Sequence, residues 1–123
     1  MHQKGLIKIK NASFYAYHGV AIDEQSLGGK FEVDVDIESD LSAAIESDSL
    51  KRTVDYEAVY TLIQKVITAK KYYLLEALAN TIATGVLQEF PVVVCVTVRV
   101  RKPHPPVKGV VDYVEVEVSL RRH

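Results

Sequence analysis

Apolar and polar residues alternate along this chain with two different periods, and the changes of period divide it into strand, strand, helix, helix, strand, strand. From Leu6 to Tyr17, leucine and isoleucine alternate with lysines before the run turns aromatic, which predicts a strand with one wet face at its start. His18 to Lys30 has no clear period and carries Gly19, Gly28 and Gly29, which suit a turning loop. Loops of this length in small proteins are often functional. Phe31, Val33, Val35 and Ile37 then alternate with Glu32, Asp34, Asp36 and Glu38, the period-2 signature of a strand with one buried and one hydrated face.

The period changes near Thr53 and Asp55, either of which can cap a helix: Val59, Leu62, Ile63, Val66 and Ile67 fall on one helical stripe. After a polar-aromatic connection, Lys70 to Tyr73, a second stripe follows in Leu75, Leu78, Ala79, Ile82, Ala83 and Val86. Val92 to Arg101 is too rich in β-branched residues to favour a helix, and Pro103 stops it, so a third strand is expected there. Beyond a proline-containing loop, Val114, Val116, Val118 and Leu120 alternate with Glu115, Glu117, Ser119 and Arg121 as a fourth strand. The order implies an α+β fold, an antiparallel four-stranded sheet with both helices on one face, in one domain spanning residues 1–123. The opposite face is expected to be polar. It would set Glu32, Asp34 and Asp36 beside Arg99, Arg101, Glu115 and Glu117, an arrangement suited to a water-filled channel.

Composition narrows the function classes. The chain has 123 residues, 48% of them hydrophobic, enough for one core and too few for two ordinary domains. Fifteen basic against sixteen acidic residues give a net charge of -1, so neither a nucleic-acid nor a membrane-binding footprint is present, and a small-molecule partner is expected. Cys95 is the single cysteine, which excludes an internal disulfide framework and fits a reducing compartment. Met1 to Lys10 lacks the pattern of a signal peptide, and no apolar run approaches the roughly 20 residues needed to span a bilayer, so a cytoplasmic location is expected. His2, His18, His104 and His123 show neither His-x-His nor His-x3–5-His spacing, which disfavours a zinc site. Cys95, mid-strand and without an adjacent base, reads as a small buried apolar residue rather than a nucleophile.

Several residues are candidates for chemistry. By alternation Lys102 continues the row of Val92, Val94, Val96, Val98 and Val100, and Pro103 keeps it extended, so its amine should be presented at the strand end. Partial desolvation there would disfavour the charged form and suit proton transfer; a lysine that snorkels to solvent is the alternative. A bulge would invert the parity. Glu76 sits in the first turn of the second helix with Ala79 and Ala83 on its side, where a flat ligand could approach. No capping residue precedes it, so its carboxylate and free backbone N–H groups could together meet an amidine-like ring edge. A carboxylate that merely complements the helix dipole reads equally well. Glu24 beside Asp23 is a loop acid, Tyr56 a phenol that can relay a proton or pack in an interface, and His18 a residue that either supports the loop backbone or touches a ligand.

The segments Tyr17-His18-Gly19-Val20 with Glu24, Thr53-Val54-Asp55-Tyr56, Leu74-Leu75-Glu76-Ala77-Leu78-Ala79 and Val100-Arg101-Lys102-Pro103-His104-Pro105-Pro106 resemble, in order and spacing, the motifs of the dihydroneopterin aldolase family. Each segment alone is weak; four in register over nearly the whole chain are strong. The resemblance implies a tunnelling fold whose sheets join into a ring around a pore, two tetrameric rings stacked as a homo-octamer, and active sites between subunits. It implies an aldehyde-lyase that needs no cofactor and no metal, because the dihydropterin ring imine itself accepts the electrons released on cleavage, with an epimerase side activity. Glu76 would anchor the pterin edge, Leu75 would add main-chain contact, and Glu24 would hold the side-chain hydroxyls. Lys102 would manage protons, and Tyr56 would arrive from a neighbouring subunit.

A dihydroneopterin triphosphate epimerase would share the fold but need basic groups near the substrate side chain. Lys51, Arg52, Lys70, Lys71 and Lys108 are available without an organising anion motif. A non-catalytic pterin-binding protein is the alternative from another class, against which Lys102 and Tyr56 argue. A zinc-dependent tunnelling-fold relative, such as a pyruvoyl-pterin synthase, is disfavoured by the histidine spacing.

Overall fold

The computed structural model describes residues 3–123. Four antiparallel strands lie in the order in which the chain makes them: β1 (Lys4–Ala16), β2 (Gly29–Asp40), β3 (Val93–Lys102) and β4 (Val114–Arg121). Between β2 and β3 come the two long helices, α3 (Tyr56–Ala69) and α4 (Leu75–Glu89). Two short helices were not anticipated. The stretch expected to be loop holds α1 (Ile22–Leu27), and α2 (Ser42–Ser47) with a 3-10 turn (Leu50–Arg52) joins β2 to α3.

The core forms where the two periodicities meet. Phe31, Val33, Val35 and Ile37 of β2 and Val96, Val98 and Val100 of β3 are buried on one face of the sheet, paired in register Val33 to Val100, Val35 to Val98 and Ile37 to Val96. Val59, Leu62, Ile63 and Ile67 of α3 and the six-residue stripe of α4 cover them. Each of the valine, leucine, isoleucine and phenylalanine side chains among them contributes roughly 1.5–3 kcal/mol by leaving water. α4 lies over β3 and β4, and α3 over β1. Asp55, not Thr53, caps α3, accepting from Glu57 N–H at 3.0 Å. Arg122 ties down the other end of α4, donating to the carbonyls of Leu87 (2.6 Å) and Phe90 (3.2 Å) and to Val93 O at the start of β3 (2.8 Å).

The alternation in β3 is broken once. Its pairing with β2 shifts between Glu38 and Ser39, and the irregularity falls at Val94. Val92 and Val94 are therefore exposed, while Val93, Val96, Val98 and Val100 are buried, correcting the expectation of one unbroken valine row. Lys102, beyond the irregularity, keeps the phase of Val96, Val98 and Val100. Cys95 falls on the polar face with Thr97, Arg99 and Arg101 as a half-buried free thiol, so it is not the buried apolar residue expected.

The polar face is a dense ionic lattice. Arg101 grips both carboxylate oxygens of Asp34 at 2.9 and 3.0 Å and also reaches Glu32 and Glu115, each at 3.1 Å. Arg99 bridges Asp36 at 2.8 Å and Glu117 at 2.7 Å. The Arg101 hydrogen bonds hold the Asp34 carboxyl below the usual carboxylate range against its burial. Burial alone would push Asp36 up, but Arg99 and Lys10 outweigh it and its value is also lowered. A bulge in β1 adds to this face: Asn11, at φ 59°, donates its N–H to Asp34 at 2.7 Å and accepts from Arg101 at 3.0 Å.

Candidate active site

Lys102 ends β3 with its side chain only 16% exposed and ion-paired to Glu24, itself 16% exposed. Glu24 reaches it from α1, the short helix inside the expected loop. Local chemistry fixes that helix. The Glu24 carboxylate accepts the N–H of Ala21 (3.3 Å), the Glu24 carbonyl accepts from Gly28 (3.2 Å), and the Gln25 amide donates to Gly19 O (2.9 Å). Two glycines permit the approach. At Gly19, φ +139°, a Cβ would stand 2.3 Å from Glu24 Oε1; at Gly28, φ +74°, it would meet the Tyr15 ring at 2.7 Å.

Glu76 lies in the first turn of α4. Leu74 precedes the helix in extended conformation and no side chain caps it, so the leading N–H groups are left for solvent or a ligand. Glu24, Glu76 and Lys102 line one cleft of about 380 Å³, with Tyr73, Leu75 and Pro106 among its walls. Leu75 is buried yet contributes to the cleft wall at the start of α4. Ala79 and Ala83 do not form the expected shelf beside Glu76: both are fully buried in the core. The cleft walls beside Glu76 come instead from the connection before α4, with Tyr73, and from the loop after β3, with Pro105 and Pro106 of the motif segment and Val107, for which the sequence suggested no role.

A second hollow, about 270 Å³, adjoins the Lys102–Glu24 pair and is lined also by His18, Asp23, Lys30 and His104. A larger groove of about 1020 Å³ runs between α3 and α4, but none of the candidate residues lines it. Tyr56 lines neither hollow beside Lys102; it is the first residue of α3 and 67% exposed. One chain thus brings together Glu24, Leu75, Glu76 and Lys102, and leaves Tyr56 outside.

His18 is 1% exposed, with both ring nitrogens engaged. Nδ1 accepts the N–H of Tyr72 at 3.0 Å, and Nε2 faces the carbonyl of Ile67 at 3.0 Å, which fixes the neutral tautomer protonated on Nε2. Burial lowers its pKa; the Ile67 bond opposes this and the charge of Lys102 adds to it. His18 therefore supports the backbone. His2 lies outside the described residues; among those described, no three His, Cys, Asp or Glu are placed to hold a metal ion, and no helix is long and apolar enough to cross a membrane.

The dihydroneopterin aldolase family model (FolB) matches residues 7–119. The dihydroneopterin aldolase of Bacillus subtilis (strain 168) is 36% identical over 116 residues, covering 94% of this chain and 97% of that protein. That of Streptococcus pyogenes serotype M18 is 35% identical over 116 residues, with 94% and 98% covered. Among solved structures, the dihydroneopterin aldolase of E. coli, in complex with neopterin, shares the fold at a TM-score of 0.85 and 21% identity, over 94% of this chain and 98% of that one.

Proposed function

Because the chain belongs to the dihydroneopterin aldolase family, and is on that footing an aldehyde-lyase, we propose that the Glu24–Glu76–Lys102 cleft performs the retro-aldol cleavage of 7,8-dihydroneopterin. The observation that carries this reading is that three ionisable side chains from separate elements, α1, α4 and the end of β3, line one cleft beside an uncapped helix N-terminus.

In this reading the Glu76 carboxylate accepts two N–H bonds from the amino-pyrimidinone edge while main-chain N–H groups at Leu75 and Glu76 face the neighbouring oxygen. Glu24 holds the side-chain hydroxyls. Lys102, beside it, exchanges the protons. The second side-chain hydroxyl loses its proton and becomes a carbonyl as the adjacent carbon–carbon bond breaks. The released electron pair passes into the ring imine, glycolaldehyde leaves, and the remaining enol takes up a proton to give 6-hydroxymethyl-7,8-dihydropterin. Re-addition of the aldehyde to the opposite face gives the epimer as a side product. Tyr56, placed away from this cleft, reaches the cleft of a neighbouring subunit and helps protonate the enol.

That last role requires an assembly, and the sheet supports one. β1 and β4 are each paired on one side only, edges that a ring of sheets would satisfy. Tyr73, Leu74, Val110 and Tyr113 leave apolar surface near the cleft mouth or in the loop leading to β4. The reading is a tunnelling-fold ring of four chains, two rings stacking as an octamer, with the ionic lattice lining the pore. A single cysteine, which leaves no internal disulfide to form, fits a reducing compartment and supports a cytoplasmic location.

The test is incubation of purified protein with 7,8-dihydroneopterin and EDTA, following both products together. Stoichiometric glycolaldehyde and 6-hydroxymethyl-7,8-dihydropterin are expected. Epimer alone would assign an epimerase instead, and unchanged substrate bound by an intact oligomer would assign a binding protein.

A further inference from the structure

His18 is joined to the chain well beyond its own loop. Its Nδ1 accepts from Tyr72 N–H and its Nε2–H donates to Ile67 O, while the next residue, Gly19, donates its own N–H to Tyr72 O at 2.8 Å. These three bonds close residues 18–19 against the last turn of α3 and the connection that follows it. The imidazole is further wedged edge-on between the rings of Phe31 (5.2 Å) and Tyr72 (5.4 Å).

Each end of this clamp leads to a different half of the cleft. On one side Gly19 packs under the Glu24 carboxylate, and its carbonyl is held by Gln25, so the position of Glu24 follows that of residue 19. On the other side Tyr72 runs through Tyr73 and Leu74 straight into α4, where Glu76 sits. Glu24 and Glu76 are far apart in sequence, and the His18–Tyr72 contact is a short covalent and hydrogen-bonded route between them.

We propose that His18 is a positioning residue for the reaction: by holding Tyr72 it sets the spacing between the Glu24–Lys102 pair and Glu76, so that a pterin ring and its hydroxylated side chain are gripped in register. The inference rests on the aldolase reading of the cleft. A ligand that touches only Glu76 does not sense this spacing, whereas one that spans both ends does, and small misplacements of reacting groups cost rate steeply.

The test compares the intact oligomer with His18→Leu, which removes both nitrogens, His18→Asn, whose side-chain oxygen falls near the place of Nδ1, and His18→Gln, which reaches toward Ile67 only. Two quantities are measured: kcat and KM for 7,8-dihydroneopterin, and the Kd of 7,8-dihydropterin, which has no side chain. His18→Leu should lower kcat at least about tenfold while dihydropterin Kd stays within about twofold, and His18→Asn should return kcat to within about threefold of the parent. Unchanged kcat and KM in His18→Leu, or equal losses of kcat and dihydropterin affinity, would overturn the proposal. If His18→Leu does not fold, the asparagine and glutamine variants decide: a kcat at least about tenfold lower in glutamine than in asparagine supports positioning through Tyr72, and equal values overturn it. Turnover by the parent with indifferent variants defeats this inference alone, whereas a parent that binds dihydropterin and releases no glycolaldehyde defeats the aldolase reading itself.

Discussion

Glu24 and Lys102 form a partly desolvated ion pair although one stands on a six-residue helix and the other on the last residue of β3. In the proposed reaction the pair meets the substrate side chain, so its two members should have separable roles. Lys102→Ala should lower kcat by about 10²–10⁴-fold, the usual worth of a positioned acid–base group, with pterin affinity retained. Single-turnover cleavage beside fluorescence titration with a pterin would check this; parallel loss of both would remove Lys102 from the chemistry.

Glu76 should behave in the opposite way. It is exposed at the start of α4, so Glu76→Ala should leave the melting temperature nearly unchanged while pterin binding weakens about 100-fold through loss of charge-assisted hydrogen bonds. Calorimetric titration and thermal unfolding of one preparation give both numbers.

Tyr56 tests the assembly. Tyr56→Phe should fold normally, because its ring is exposed in a single chain, and should lose activity. Co-expressed with Lys102→Ala, it should regain about one quarter of parental activity, since random mixing gives that share of sites an intact lysine from one chain and an intact tyrosine from the next. Recovery near zero would mean that each chain works alone.

The sheet and both long helices were legible because each buries a face, and burial enforces a period: Phe31 to Ile37 for β2, Leu75 to Val86 for α4. Features that rest on single hydrogen bonds were not legible. The irregularity at Val94 moves two valines into solvent without any mark in a run of valines. α1 has no buried residue and therefore no stripe; the Glu24, Gln25 and Gly28 bonds that hold it have no periodic signature. His18 stayed undecided for the same reason. Its partners are main-chain groups 49 and 54 positions away, and a main-chain carbonyl or N–H leaves no trace in residue type.

The ionic face predicts acid sensitivity. Asp34 is 7% exposed and gripped by Arg101, so Arg101→Met should cost about 1–3 kcal/mol, because the buried carboxylate then keeps only the Asn11 N–H and the more distant Lys10 as partners. The folded pKa values of Asp34 and Asp36 both lie below the ordinary 3.8. Their contribution is thus present above that value and is lost as pH falls toward and through the lower folded values. Urea midpoints measured between pH 3 and pH 7 should fall at the acid end in the parent, and less in Arg101→Met; identical profiles would show that the Arg101–Asp34 pair contributes nothing to the acid sensitivity.

His18 predicts a second and earlier loss. Its folded pKa is lowered from 6.5, chiefly by burial, so between that value and the folded one the unfolded chain binds the extra proton and the folded chain does not. Stability is therefore full above about pH 6.5 and declines as pH falls below it. Protonation would also place an N–H on Nδ1, facing the Tyr72 N–H that it now accepts, with Lys102 adding repulsion. Asp23, Glu24, Lys30, Lys102 and His104 line the neighbouring hollow with His18, and the Glu24 carboxylate there is paired to Lys102. The clamp should consequently loosen before the carboxylate lattice does. Amide hydrogen exchange at Tyr72 and Gly19, followed from pH 7.5 to 5, should rise over the intrinsic rate in the parent below about pH 6.5, because protonation of His18 in the opened clamp favours opening. In His18→Asn, which has no titrating group at this position, the excess should be flat with pH; an equal rise in both would assign the change to some other group.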